Sequence, residues 1–550
     1  MSDEGLGIGH AEGMALFVKD SVPGDTVRAK IVKVKKNYAF ARTDEVLRPS
    51  PDRVDPACPV ARSCGGCQIQ EMNYAAQLRL KENKVRNNLR RIGGIHIDND
   101  RITDGEGGTF FPIIGMDDPW AYRNKAQFPV GTGKDGRPTA GFYAGRTHTI
   151  IDNHRCNIGI EENRIILETV LDWMEHYHVS AYDEETGQGV IRHVMTRAGF
   201  ATGQLMAVIV AAADRLPQEA KLIEALLSAV NGCEAGSGRR RFTLTSIILN
   251  INTEKTNVIL GSGTRALYGE DHIEDRIGEL TYRISSKSFY QVNPLQTRVL
   301  YETALSYAGL TGKETVWDLY CGTGTISLFL ARKAEKVIGV EVIPDAIKNA
   351  DKNARLNHID NCEFIVGKAE DLVDRLERAD VIVVDPPRKG LDKAVVDTIL
   401  RSAPERIVYV SCDSATLARD LRLFAEGGFR VKKVQPVDMF PHTVHVETIV
   451  LLCRKAEEAD RHISIEYYPE GRHMETAPLD ASYSRIVRWI EENYNGMKVH
   501  TLYIAQVKRK YGLIERKNYH KSTKPDAKVP ECPPDKEAAI VEALKHFRMI

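Results

Sequence analysis

From about residue 297 the chain settles into a strict alternation of apolar strand patterns and amphipathic helix patterns, and that rhythm narrows the folds open to it. ETVWDLY reads as a strand and ISLFLARKA as a helix; KVIGVE is the next strand and PDAIKNADKNARLN the next helix. CEFIVG and ADVIVVDPP are strands, KAVVDTILRSA a helix, RIVYVSC a strand and SATLARDLRLFAEGG a helix, after which RVKKVQPVDMF and ETIVLLC close the pattern. Short strands rich in β-branched residues, alternating with helices, predict an α/β fold with a doubly wound parallel sheet. Such sheets bind ligands beyond the carboxyl ends of their strands, so those ends are where chemistry is expected.

Three strand ends carry suitable residues. WDLYCGTGTISLFLA puts Asp318 at a strand end, Gly322 and Gly324 in the following turn, and a helix from about Thr325. Glycines there let the backbone approach a ligand closely. Glu341 ends the next strand, where an acid can bond both hydroxyls of a ribose. The three-glycine dinucleotide fingerprint is absent, which favours a nucleoside without phosphates, S-adenosylmethionine being the commonest. Asp385 follows the strand VIVV and opens DPPRKG, over the same crevice. A tight turn in an unrelated α/β fold and a helix-capping aspartate are the plainer readings of these two motifs.

Cys412 ends the strand IVYVSC and precedes a helix from about Ser414. A thiol near a helix N-terminus can have a lowered pKa; an inert buried cysteine fits the same position. Carbon 5 of uracil is a poor nucleophile towards a methyl sulfonium. A thiolate added to carbon 6 creates an enolate whose carbon 5 can attack. A base must then remove the carbon-5 proton. Glu447, read as lying in the loop of MFPHTVHVET, is the candidate, with His442 and His445 as alternatives.

The rest of the 550 residues supplies context. Residues 1–52 alternate short apolar runs with turn signals and suggest a small β-barrel. Residues 53–290 mix strands and helices as an α+β region, 291–455 form the sheet domain, and 456–550 an accessory module with helices near 482–494, 500–511 and 535–547. The 75 basic and 75 acidic residues cancel. That balance does not advertise a nucleic-acid binder, yet basic residues cluster at 29–42, 79–94 and 507–524, and local fields decide binding. No window approaches the ~18 apolar residues of a membrane span, and no secretion signal is visible at the N-terminus, so a soluble, cytoplasmic protein is expected. Of the ten cysteines, Cys58, Cys64 and Cys67 form C-x5-C-x2-C. This is unlike a secreted disulfide framework and looks like a metal or cluster site, with zinc and iron–sulfur both open.

SFYQVNP (288–294), DLYCGTGT (318–325), DPPRKG (385–390), YVSCD (409–413) and MFPHTVHVET (439–448) together resemble the RNA 5-methyluridine methyltransferases, including the bacterial 23S ribosomal RNA enzymes. The resemblance covers about residues 1–455. It implies Cys412 as nucleophile, Glu447 as proton-abstracting base, and contacts to S-adenosyl-L-methionine from Gln291, Tyr320, Glu341 and Asp385. Gln291 can equally pair with uracil's edge, and Phe289 can stack on a flipped base. The resemblance further implies a [4Fe-4S] cluster on Cys58, Cys64, Cys67 and Cys156, and an RNA-binding TRAM module at the N-terminus whose first strand is short or missing. Two departures stand beside the nucleophile: Asp413 where Asn is expected, and Ser414 where Pro is common. The same chemistry on transfer RNA, methylation of nitrogen, oxygen or a small molecule, and a non-catalytic RNA-binding factor remain alternatives. RNA contact by 456–550 is also an expectation.

Overall fold

The computed structural model describes residues 1–103, 107–232, 241–372, 377–455, 483–511, 531–547 and 549–550. The chain divides into two compact units, 1–458 and 459–550.

The first unit opens with a four-stranded sheet of Gly7–Ala11, Met14–Lys19, Thr26–Val34 and Tyr38–Arg48, ordered first, second, fourth, third. Asp25 ties off its end. Its carboxylate accepts the Val22 N–H at 2.6 Å, the Ser50 N–H at 2.8 Å and the Arg53 guanidinium at 2.7 Å.

A seven-stranded sheet follows, built from residues 125–269. Strand Gln204–Ala211 shows why LMAVIVA is apolar throughout. Side chains alternate across a strand, so Leu205, Ala207 and Ile209 enter the core under helices Glu162–His176 and Glu219–Asn231. Met206, Val208 and Val210 enter the core shared with hairpin His272–Ile277/Leu280–Ser285.

The third sheet has ten strands. At its heart Cys362–Val366, Lys336–Glu341, Thr315–Leu319, Val381–Val384 and Arg406–Ser411 pair in parallel. The expectation of a parallel sheet needs one correction: Glu447–Arg454 runs antiparallel to both Arg406–Ser411 and Phe429–Val437. The reason is the connection. A strand that returns through a loop beside its predecessor, without a helical crossover, has to reverse direction. Both faces are buried, with Val381 and Val383 in one core and Ile382 and Val384 in the other.

Three short strands, Ile97–Asp98, Arg101–Ile102 and Gly108–Phe110, extend this sheet beyond Phe429–Val437. Helix Tyr74–Arg91 sends Val85 and Leu89 into the same core. The segment 53–290 thus contributes strands to three sheets: the seven-stranded sheet, the hairpin 272–285 and the ten-stranded sheet. On that helix the sequence suggests a solvated basic face, but Lys81 is only 1 % exposed. Its Nζ sits 2.5 Å from Asp438 Oδ1 and donates to the Phe440 carbonyl at 2.9 Å. A buried cation needs such partners to offset its lost hydration.

In the second unit, Tyr483–Asn493, Thr501–Lys510 and Pro534–His546 close around Ile486, Ile490, Ile504, Val507, Ala543 and Leu544. Beyond residue 511 the basic run 507–524 lies outside the described residues, as does Cys233. Among the described residues no helix is long and apolar enough to cross a membrane.

Candidate active site

Sheet register assembles the site. Leu319 pairs with Val340 on one side and Val384 on the other. The next residue of each strand or loop is therefore Tyr320, Glu341 or Asp385, side by side at the carboxyl rim. One strand further, Ser411 pairs with Thr448, so Cys412 and Glu447 occupy the adjoining step of the antiparallel pair. Glu447 is the first residue of its strand rather than a loop residue. Its backbone is held by pairing with Val437, which makes it a firmer platform than a loop.

The turn after Asp318 is shaped for a close approach. Tyr320, Gly322 and Gly324 all have positive φ, at 68°, 56° and 78°. A Cβ on Gly324 would lie 2.9 Å from Phe364 and 3.0 Å from Ala350, so only glycine fits there. Tyr320 has no such freedom and is held in the left-handed region by its N–H bond to Val340 at 2.9 Å; such residues cluster at functional sites. Glu341 is aimed by two backbone donors, Gly322 N–H at 3.3 Å and Ile343 N–H at 3.0 Å. Asp318 accepts from Ser327 at 2.5 Å through Oδ2, while its buried Oδ1 has no partner. Segment 288–294 lies against this turn through the Thr323 hydroxyl and the Phe289 carbonyl, 3.5 Å apart. Phe289 is 69 % exposed, and the Gln291 backbone is held by Asn124 at 2.9 Å. The orphaned Asp318 oxygen, the glycine turn and the Glu341 carboxylate fit an S-adenosyl-L-methionine site.

Electrostatics at the rim run against the sequence expectation for Cys412. The helix N-terminus favours a thiolate, but burial pushes the thiol up to about 12, with Glu447 and then Asp385 adding to the shift and Arg388 opposing it. Burial also raises Asp385 to about 7. Glu447 rises to about 8, first through burial and then through Asp385, with Arg388 again opposing. Asp413 is the smallest of the named influences on the thiol. It caps the next helix, accepting the N–H groups of Ala415 at 2.8 Å and Thr416 at 3.1 Å, and Ser414 takes a 2.8 Å bond from Asn88. Both departures from the family pattern therefore have structural roles.

His442 and His445 are poor bases here, since burial lowers both to about 4. His442 is a clamp. Its ring stacks on Trp120 at 3.8 Å, its N–H donates to Gln77 at 2.9 Å, and its carbonyl accepts from Gln68 and Ile69. Asp318 and Arg388 lie within the motifs DLYCGTGT and DPPRKG, which by themselves give neither residue a role. For Arg388 the available signal was its place directly after the rim prolines, Pro386 and Pro387; the fully buried carboxyl of Asp318 is visible only in three dimensions.

The buried carboxyls set a pH dependence. A group whose pKa is higher folded than unfolded stabilises the fold fully below its unfolded pKa, and that contribution is lost as pH rises through the folded value. For Asp385 the window runs from about 4 to about 7. Asp385→Asn stays neutral throughout. The ligand-free variant should melt above the parent at pH 8, with the gap closing towards pH 5. Scanning fluorimetry at both values checks this, and an equal gap at both would contradict it.

Cys58, Cys64, Cys67 and Cys156 lie close enough to influence one another. Burial, Cys156 and Cys64 push Cys67 up to about 12, and Cys156 is raised by burial and by Cys64 and Cys58. Backbone N–H groups point at two of the sulfurs: Gly66 donates to Cys64 at 3.3 Å, and Ile158 and Gly159 donate to Cys156. Among the described residues no group of three or more His, Cys, Asp or Glu side chains is arranged to hold a metal ion.

Residues 249–455 match the tRNA (uracil-5-)-methyltransferase family model, and residues 1–43 match the TRAM domain. An uncharacterized RNA methyltransferase of Halalkalibacterium halodurans is 48 % identical over 456 residues, covering 82 % of this chain and 95 % of that protein. One from Clostridium acetobutylicum is 47 % identical over 454 residues, covering 82 % and 94 %. Among solved structures, the Pyrococcus abyssi tRNA (uracil-54, C5)-methyltransferase in complex with S-adenosyl-L-homocysteine superposes with a TM-score of 0.64 at 26 % identity, covering 82 % of this chain and 98 % of that one. With this rim and these relatives, the chain belongs to the tRNA (uracil-5-)-methyltransferase family, and it is a S-adenosyl-L-methionine-dependent RNA methyltransferase.

Proposed function

We propose that the protein methylates carbon 5 of a uridine in 23S ribosomal RNA through a covalent adduct between Cys412 and carbon 6. The observation that carries this reading is the strand register that sets Cys412 opposite Glu447, with Asp385 close enough to raise the thiol. S-adenosyl-L-methionine, when bound, supplies an electrophilic methyl on a positively charged sulfonium. Gln291, Tyr320, Glu341 and Asp385 hold it at the carboxyl rim. The Cys412 thiol loses its proton to solvent, and its sulfur bonds to carbon 6 as the carbon 5–carbon 6 double bond opens to an enolate. Carbon 5 takes the methyl group and the donor departs as S-adenosyl-L-homocysteine. Glu447 accepts the carbon-5 proton, the carbon 5–carbon 6 double bond re-forms, and the sulfur leaves. With Asp385 near 7 and Glu447 near 8, the pair titrates around neutral pH, where a base is most useful.

Resemblance to the ribosomal RNA enzymes supports the choice of RNA. Transfer RNA is the second reading, favoured by the likeness to the Pyrococcus abyssi enzyme. Mass-spectrometric mapping of 5-methyluridine in both RNAs, from cells with and without the gene, decides. Loss from 23S RNA alone is expected; loss from transfer RNA alone would overturn the substrate.

In the same reading Cys58, Cys64, Cys67 and Cys156 hold a [4Fe-4S] cluster. Their mutual proximity and the N–H groups aimed at Cys64 and Cys156 support it. Anaerobically purified protein should contain iron and acid-labile sulfide in equal amounts, and Cys67→Ser should lose both. Zinc without sulfide would replace the cluster by a zinc site.

A further inference from the structure

Helix Tyr74–Arg91 carries a polar stripe that reaches both loops of the reacting groups. Tyr74, Gln77, Lys81, Lys84 and Asn88 follow one another at steps of three, four, three and four residues, the spacing that keeps side chains on one helix face. We propose that this helix is a strut that sets the nucleophile and the base against each other, with Asn88 a positioning residue for Cys412 and Lys81 one for Glu447. The proposal rests on the covalent reading above and adds to it residues that act through others.

Sheet pairing stops short of the segments around the reacting groups. The ladder between their two strands ends at Ser411 and Thr448, and the ladder on the other side ends at Glu447 itself. Cys412 and residues 438–446 lie beyond it, where backbone polar groups need partners from elsewhere. The stripe provides them. Tyr74 donates to the Asp438 carboxylate at 2.9 Å and Lys81 to its other oxygen at 2.5 Å. Lys81 also donates to the Phe440 carbonyl at 2.9 Å, Gln77 accepts the His442 N–H at 2.9 Å, and Lys84 donates to the Val444 carbonyl at 3.4 Å. Four side chains of the stripe thus bond residues 438, 440, 442 and 444.

The fifth member turns to the other loop. The Asn88 amide donates to the Ser414 hydroxyl at 2.8 Å. Ser414 is buried, stands two residues after Cys412, and opens helix Ser414–Glu426. Packing backs the contact, because Val85 and Leu89 share a core with Leu417, Ala418 and Leu421 of that helix. One rigid element therefore bonds on both sides of the Cys412–Glu447 pair. Reacting groups need to be held to within ~0.5 Å, and rigid elements do this better than loops. Stability alone is poorly served by such a stripe. An apolar pair in place of buried Lys81 and Asp438 would spare the cost of taking two charges out of water. What the charges add is a fixed direction of bonding.

The test separates the two steps that the two ends of the strut should control. Full-length protein is incubated with S-adenosyl-L-methionine and with 23S ribosomal RNA or transfer RNA transcribed with 5-fluorouridine. Fluorine at carbon 5 leaves Glu447 no proton to take, so the adduct persists once the methyl group has moved. Its rate of appearance on denaturing gels reports the Cys412 step without the base. Turnover on ordinary RNA needs both groups. Lys81→Met/Asp438→Asn, which removes both charges together, should trap 5-fluorouridine RNA at the parent rate. Its turnover on uridine RNA should fall by about 10 to 100-fold, with adduct accumulating. Tyr74→Phe keeps the ring, should show the same pattern, and stands in if the double variant does not fold. Asn88→Ala should instead slow trapping roughly tenfold, with no adduct accumulating on uridine RNA. KM for RNA should hold in all three. Equal slowing of both steps, slowing of neither, or the two patterns exchanged between the ends would overturn the strut. A parent protein that traps neither RNA would overturn the covalent reading, and the strut with it.

Discussion

Cys412→Ala is expected to leave less than about one-thousandth of the parent turnover, the scale on which loss of a covalent nucleophile acts. It should also abolish any RNA adduct that survives denaturing gel electrophoresis. The size of the effect follows from the substrate, because without addition at carbon 6, carbon 5 is too weak a nucleophile to displace the methyl group. The fold should tolerate the change. The thiol is only half-buried, and the rim around it is built by its neighbours: Ser411 holds the Asp413 N–H, and Asp413 caps the following helix. Affinity for S-adenosyl-L-homocysteine, measured by calorimetry, should therefore stay close to the parent. Near-parent turnover in the variant would exclude the covalent route and point to methylation of an atom that needs no activation.

Glu447→Gln should behave differently, because it acts after the adduct forms. The amide is nearly isosteric, and the carboxyl it replaces is already protonated over much of the neutral range, with its pKa near 8. Packing should survive, while proton removal from carbon 5 should slow by about 10² to 10⁴-fold, the usual contribution of a general base. Adduct should accumulate with the methyl group already transferred. Adduct formation at Cys412 should not be slowed, since burial is the main cause that raises the thiol and an uncharged amide adds nothing to it. Radiolabelled methyl groups retained on protein-bound RNA give the readout. Adduct that resolves at the parent rate would take the base role from Glu447. In the parent, the base-dependent step should gain speed as pH rises through about 8, because only the carboxylate accepts a proton; Glu447→Gln should flatten that limb.

Much of this was legible in the chain. The strand–helix alternation after residue 297 located the sheet, because apolar β-branched strands buried on two faces leave little else to form. The short motifs at strand ends located the rim, since in such a sheet the carboxyl ends and the helix N-termini meet at one edge. Helices in 456–550 were found to within a residue or two from amphipathic spacing. Other features were not legible. Lys81 sits in a run of charges that looks solvated, and only its burial against Asp438 and the Phe440 carbonyl shows that it holds the loop leading to Glu447. Strands at 97–110 are too short to show periodicity, yet they extend the methyltransferase sheet.

By itself the sequence determined the residue types, the order of the elements and the edge of the sheet at which Asp318, Glu341, Asp385 and Cys412 emerge, because local periodicity and turn chemistry depend only on neighbours along the chain. Only the tertiary structure decided that Glu447 starts an antiparallel strand opposite Cys412, and that burial first, then Glu447 and Asp385, raises the thiol. Those outcomes depend on distance and burial among residues far apart in sequence. Burial strips a titratable group of its hydration and shifts it by more than a helix terminus does.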